Sequence, residues 1–180
     1  VLMFRKEFRI LIVFAIFLVA ISSFASCCVA SPITGFDPKT DSKSLMDNCL
    51  NMKYGQTGVE SNGVYFSSAQ IEYALAKSIS MIASGNANTK FNIPDFRNCE
   101  NSHGDDIDQT LSKSQYVDMA NRYSNWTENH GQLPNYVGIN VAGVPDISNT
   151  KALGIWLNVL SSYHETGQLP ESFQQLIISG

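Results

Sequence analysis

Basic side chains are scarce. The chain of 180 residues holds 12 Lys and Arg against 16 Asp and Glu, and three of the twelve (Arg5, Lys6 and Arg9) fall in its first nine positions. Setting residues 1–30 aside removes those three and one acid, Glu7, so the formal charge moves from −4 to −6. No Lys/Arg cluster is left to displace counterions from phosphates, which argues against a nucleic-acid partner. Cysteine is scarce as well, with four in all. Cys27 and Cys28 fall in the first thirty residues, which leaves Cys49 and Cys99. An even pair in an exported chain allows one disulfide, and two buried free thiols are the alternative, because sequence gives no distance between them. The three histidines, His103, His130 and His164, show no helix-face pairing with a carboxylate of the kind zinc requires, so no metal and no cofactor are expected.

Long apolar runs are missing except at the start. Ile10 to Ile21 is apolar without interruption, follows Arg5, Lys6 and Arg9, and leads to the small-residue exit Cys28-Val29-Ala30-Ser31. That order reads as a secretory signal peptide over residues 1–30, with Ala30 the last residue removed. An uncleaved membrane anchor is the alternative, since apolar and small residues together are roughly enough to span a bilayer. Residues 31–66 read as a linker and a short N-terminal helix near Ser44 to Tyr54, followed by an extended pair turned at Asn62-Gly63. The rest, 67–180, is where a fold is expected.

Three helical patterns occupy that region. The first starts at Ser67 or Ser68 and stops at Gly85. The second runs from Ser112 or Ser114 to Gly131, and the third from Asp146 or Ser148 to Gly167. The third is apolar over more than half its circumference and is expected to be the central core element. After each comes an apolar residue and a proline: Ile93-Pro94-Asp95-Phe96, Leu133-Pro134-Asn135-Tyr136 and Leu169-Pro170-Glu171-Ser172. The proline fixes φ and turns the chain off the helix end. The spacing of 36 to 40 residues predicts a mainly α fold, a small helical repeat domain with a short extended segment after each helix.

The second copy is the most informative. Met119-Ala120, Tyr123 and Trp126, followed by Asn129-His130-Gly131-Gln132-Leu133-Pro134-Asn135-Tyr136-Val137, resemble the pseudomurein-binding repeat of methanogenic archaea. The third copy, Tyr163 to Leu176, is similar but has Ser172 where the family usually has an aromatic. The first, Ser67 to Phe96, is looser. The resemblance covers roughly residues 67–177 and implies an extracellular protein at the cell wall or cell surface. Its partner would be pseudomurein, a glycan cross-linked by peptides, held non-covalently. The family occurs in cell-surface proteins and in wall-lytic endoisopeptidases, so two other readings stay open: the targeting part of a longer or partnered wall peptidase, and an adhesin-like surface protein with protein ligands. A membrane contact is implied only through an uncleaved leader.

Among candidate site residues, the aromatics on helices fall on apolar faces and read as core. Tyr136, on the turn after Pro134, is the better ligand-binding candidate, with Asn135 and Asn129 as hydrogen-bond donors. The three post-proline turns, Asp95-Phe96, Asn135-Tyr136 and Glu171-Ser172, are expected to bind a periodic polymer together. Cys99, His103 and Asp105 or Asp106 lie close in sequence, but nucleophile triads are assembled from distant segments, and no region of catalytic-domain size is present; the chain reads as no enzyme. Asp105, Asp106 and Asp108 read as a solvated approach to a helix N-terminus rather than a Ca²⁺ loop. Asn125-Trp126-Thr127 is the one N-glycosylation sequon, with Asn125 the acceptor.

Overall fold

The computed structural model describes residues 30–53, 56–105 and 110–174. The leader expected over 1–30 lies outside the described residues apart from Ala30, and so do Asp106 and Asp108. Four helices are described: α1 (Asp41–Cys49), α2 (Ser68–Ala83), α3 (Lys113–His130) and α4 (Asn149–Thr166). Six short strands accompany them: β1 (Ile33–Phe36), β2 (Gly58–Ser61), β3 (Val64–Ser67), β4 (Phe91–Ile93), β5 (Thr110–Ser112) and β6 (Ser172–Gln174). They form three two-stranded antiparallel sheets, β1 with β4, β2 with β3 and β5 with β6.

The helix starts follow from local chemistry. Ser67, Ser112 and Ser148 share one backbone conformation (φ near −70° and ψ near 160°), and each hydroxyl accepts from the amide three residues on. Ser67 with Gln70 and Ser112 with Gln115 close full capping boxes. Each cap contributes about 1 kcal/mol. At the far end α3 and α4 stop where Gly131 and Gly167 turn left-handed, at φ +67° and +77°.

What the apolar-Pro step does is visible in the packing. Ile93, Leu133 and Leu169 are buried. The carbonyl of the proline after each accepts a side-chain hydrogen bond from a helix: Pro94 from Gln70 Nε2 (3.3 Å), Pro134 from Asn149 Nδ2 (2.8 Å) and Pro170 from Tyr116 Oη (2.6 Å). Each step is a latch, with an apolar plug and a polar hook.

The mainly α expectation is corrected. Helices cover 44% and strands 18% of the described residues, so the fold is mixed α and β rather than a helical repeat domain. Strands precede helices as well as follow them: β3 runs directly into α2 and β5 into α3. Two of the three sheets pair strands remote in sequence, Ile33 with Ile93 and Leu111 with Phe173, which no local periodicity announces.

Two further expectations change. Residues 31–43, read as linker, contain β1 and the start of α1, and Phe36 is a core residue packed on Phe66 and Phe91 (ring centroids 5.9 and 5.2 Å). The centre of the fold is α2 rather than α4, because α2 packs on α1, α3 and α4. Its Ala69, Ala74, Ala76 and Ser78 are fully or almost fully buried. Small side chains allow approach from several sides, a role that apolar bulk does not reveal. Cys49 and Cys99 are both free, so the allowed bridge is not formed. Cys49 is buried at the end of α1, which pushes its thiol up to about 12.

Candidate functional site

The C-terminal half of α3 and the chain that returns from it enclose a depression of about 520 Å³. After Gly131 reverses direction, Leu133 plugs the core and its amide donates to the Arg97 carbonyl (2.9 Å), while the Arg97 amide donates to Gly131 (3.1 Å). Asn135 is then tied to the loop beyond Arg97: its carbonyl accepts from the His103 amide (3.0 Å) and its Oδ1 from the Asn101 amide (3.1 Å). Val137 exchanges both backbone bonds with Ile147 (3.0 and 2.8 Å). The same loop closes tightly at Gly104, at φ +121°, where a Cβ would sit 2.4 Å from the Ile147 carbonyl carbon. The rim is thus built from backbone hydrogen bonds rather than side-chain packing.

Aromatic groups face this depression. Trp126 and His130 stack with ring centroids 3.9 Å apart and 9° between planes. His130 Nδ1–H donates to the Trp126 carbonyl at 2.7 Å. In the neutral ring this leaves Nε2 as an acceptor. Opposite, Tyr136 is 44% exposed and lies against His103 at 4.7 Å. Asn125, Asn129 and Asn135 supply amides around the rings, and Arg122 stands at one end. Its guanidinium is fixed: Nε and Nη2 hold Asp118 Oδ2 (2.9 and 2.8 Å), and Nη2 also donates to the Gly138 carbonyl (2.6 Å).

Beneath the depression lies Tyr123, whose hydroxyl donates to Glu72 of α2 at 2.5 Å. Burial raises the Glu72 carboxyl to about 7, partly offset by that hydrogen bond. Tyr123 is in turn held well above its ordinary value by burial and then by the Glu72 charge. One residue on, Tyr73 donates to Glu128 (2.7 Å), which also pairs with Lys77 (2.7 Å). These pairs pin the C-terminal half of α3 to α2.

Asn129, Asn135 and Tyr136 therefore come together on one depression. The other two post-proline turns do not resemble it. Phe96 is a core residue tilted against Tyr73 at 4.6 Å, and Ser172 is paired in β6. The expectation of three equivalent sites is corrected: among the described residues, the second turn alone exposes an aromatic. His103 Nδ1–H donates to the Asn101 carbonyl (2.8 Å) and its ring lies against Tyr136, and among the described residues no hydrogen bond joins it to Cys99. Asn125 is exposed, but Thr127 of its sequon is buried inside α3 with its hydroxyl on the Tyr123 carbonyl (2.8 Å). No group of three His, Cys, Asp or Glu among the described residues is placed to hold a metal ion.

Arg122, Trp126 and His130 were missed as site residues, although their spacing is a signal. At i, i+4 and i+8 they form one stripe along α3, and Asn125 and Asn129 flank it.

Residues 107–139 match the family model described as the pseudomurein-binding repeat. Over those residues the chain resembles the pseudomurein-binding repeat. The repeat takes in β5, all of α3, the Leu133-Pro134 latch and the return through Val137. Stacked rings, amides and the exposed Tyr136 all lie inside it. No curated protein and no solved structure matches the chain.

Proposed function

We propose that the protein is exported and attaches non-covalently to pseudomurein, through the depression where Asn129, Asn135 and Tyr136 meet. One observation carries the reading: the residues that match the pseudomurein-binding repeat are the residues that build the depression. Its chemistry agrees. Exposed ring faces and amide donors on a hydrogen-bonded frame suit a hydrated polymer that offers C–H faces and polar groups in alternation. The acidic formal charge disfavours a polyanionic partner. The role assigned is binding, with no catalysis.

Export is expected from the leader, and N-terminal sequencing of the mature protein should begin near Ser31. An intact leader in the membrane fraction would support the anchor instead. For binding, the purified mature chain should be retained on isolated pseudomurein and not on bacterial murein. Tyr136→Ala removes a half-exposed ring that is outside the helices, so wall retention should fall several-fold, on the order of 3- to 10-fold, with the helical circular dichroism unchanged. Equal retention of the folded Tyr136→Ala protein would show that the ligand surface is elsewhere.

A further inference from the structure

The depression does not end at Arg122. A second hollow of about 600 Å³ lies against the loop 138–146, and Arg122 and Gly138 line both. The two make one groove with the guanidinium at its midpoint. Gly138 sits at the joint, where a Cβ would come within 3.0 Å of Asp146 Oδ1 and 3.9 Å of Arg122 Nη1. The two hollows together have the volume for an occupant of more than one unit, and the joint is kept open at Gly138 by the missing side chain.

Charge decides what that occupant is. Arg122 is matched at 2.8 Å by Asp118, and Asp146 stands on the other side of Gly138. One guanidinium between two carboxylates has no net positive charge to offer an anion. Two of its nitrogens, Nε and Nη2, are held by protein acceptors. Among the described residues no acceptor holds Nη1, whose donors suit a neutral carbonyl oxygen in the groove that Arg122 lines. Around it, Asn125, Asn129 and Asn135 line the groove with amides, and the His130 Nε2 acceptor lies over Trp126. Donors for a C=O and an acceptor for an N–H, next to a flat ring pair, are the complement of an acetamido group on a pyranose. The inner faces of the indole and imidazole cover each other at 3.9 Å, so the sugar's C–H face would lie on the outer face of the stack, which carries partial negative charge. A peptide could satisfy the amide groups but offers no comparable flat C–H face to the outer face of the Trp126–His130 stack.

We propose that this groove binds the glycan strand of the wall polymer through uncharged acetamido sugars, with Arg122 the residue that reads the acetamido carbonyl. The inference rests on the wall-binding reading and narrows it to the glycan. The test uses the full mature chain, ¹⁵N-labelled, titrated with three probes: a tetramer of N-acetylglucosamine, the matching tetramer of glucose, and tetra-alanine capped at both ends. The acetamido tetramer should shift the Trp126 indole and the Gly138 amide saturably, and the other two should leave them in place. Retention on isolated pseudomurein should change little between low salt and 1 M NaCl, because no ion pair is formed with the ligand. Arg122→Lys keeps the charge and loses the fork, and should weaken the acetamido tetramer about tenfold. An equal response to the glucose tetramer, a response to the capped peptide in place of the sugar, or retention lost steeply with salt would each overturn the inference. So would wall retention with no response to the acetamido tetramer, which leaves wall binding itself standing. Absence of retention on pseudomurein overturns the wall-binding reading instead.

Discussion

Trp156→Ala should cost about 3–5 kcal/mol, the range for removing a large ring from a close-packed interior. The indole lies in the middle of α4, fully buried, and meets Tyr123 edge-on at 6.1 Å. Domains of this size have a total stability of roughly 5–15 kcal/mol, so the loss is a large share of the whole. A companion, Trp156→Phe, separates packing from polarity. The indole N–H is buried without a hydrogen-bond partner among the described residues. Phe removes that unpaired donor while keeping most of the ring, so it should cost much less than Ala, about 1–2 kcal/mol. Urea denaturation followed at 222 nm measures both. Because Tyr123 rests on Trp156 and lines the groove, the Ala variant should also bind pseudomurein less well under conditions where it is still folded. A Trp156→Ala loss below about 1 kcal/mol, or a Phe variant as damaged as the Ala one, would contradict this account of the core.

Signals that lie within a few residues of each other were legible in the sequence. The three serine caps, the glycine stops and the Asn62-Gly63 turn (φ +52° and +75°) depend on neighbours one to four positions away, and each is where the sequence predicts it. Pairing across the fold was not legible. Ile33 finds Ile93, and Ser112 finds Ser172, in strands of three or four residues that are too short to show an alternating pattern. That shortfall produced the mainly α expectation. Apolar bulk also misled: α4 has the larger side chains, yet Leu153 and Leu157 are only partly buried while Ala69, Ala74 and Ala76 of α2 are enclosed. At the site, Tyr136 and Phe96 occupy equivalent positions after a proline. Phe96 packs on Tyr73 and is buried, whereas Tyr136 lies against His103 and stays half-exposed. The difference lies in what passes over each turn, which the turn's own residues do not encode.

Glu72→Gln should stabilise the protein by about 2–3 kcal/mol at pH 8 and leave it unchanged at pH 4.5. The carboxyl is enclosed between α2 and α3 although the residue as a whole is only half-buried, and burial raises it from near 4.5 to about 7. Between those values the folded chain holds a proton that the unfolded chain has lost. Stability from this group is therefore fully present below about pH 4.5, falls as pH rises toward 7, and is flat above. Gln keeps an oxygen for the Tyr123 hydroxyl, which Glu72 accepts at 2.5 Å, and carries no charge to desolvate. His164 works in the opposite direction over part of the range. Burial lowers it from 6.5, so its contribution rises with pH up to that value. The difference between variant and parent cancels His164 and leaves Glu72. Urea midpoints of both proteins at pH 4.5 and pH 8 are the measurement, and an equal gain at the two pH values would assign the effect to packing rather than to a buried charge. A carboxyl that ionises only as pH rises past about 7, at the cost of stability, lies beneath the groove with Tyr123 as its hydrogen-bond donor; on this account Glu72→Gln should leave pseudomurein retention intact, because the Tyr123 ring stays where it is.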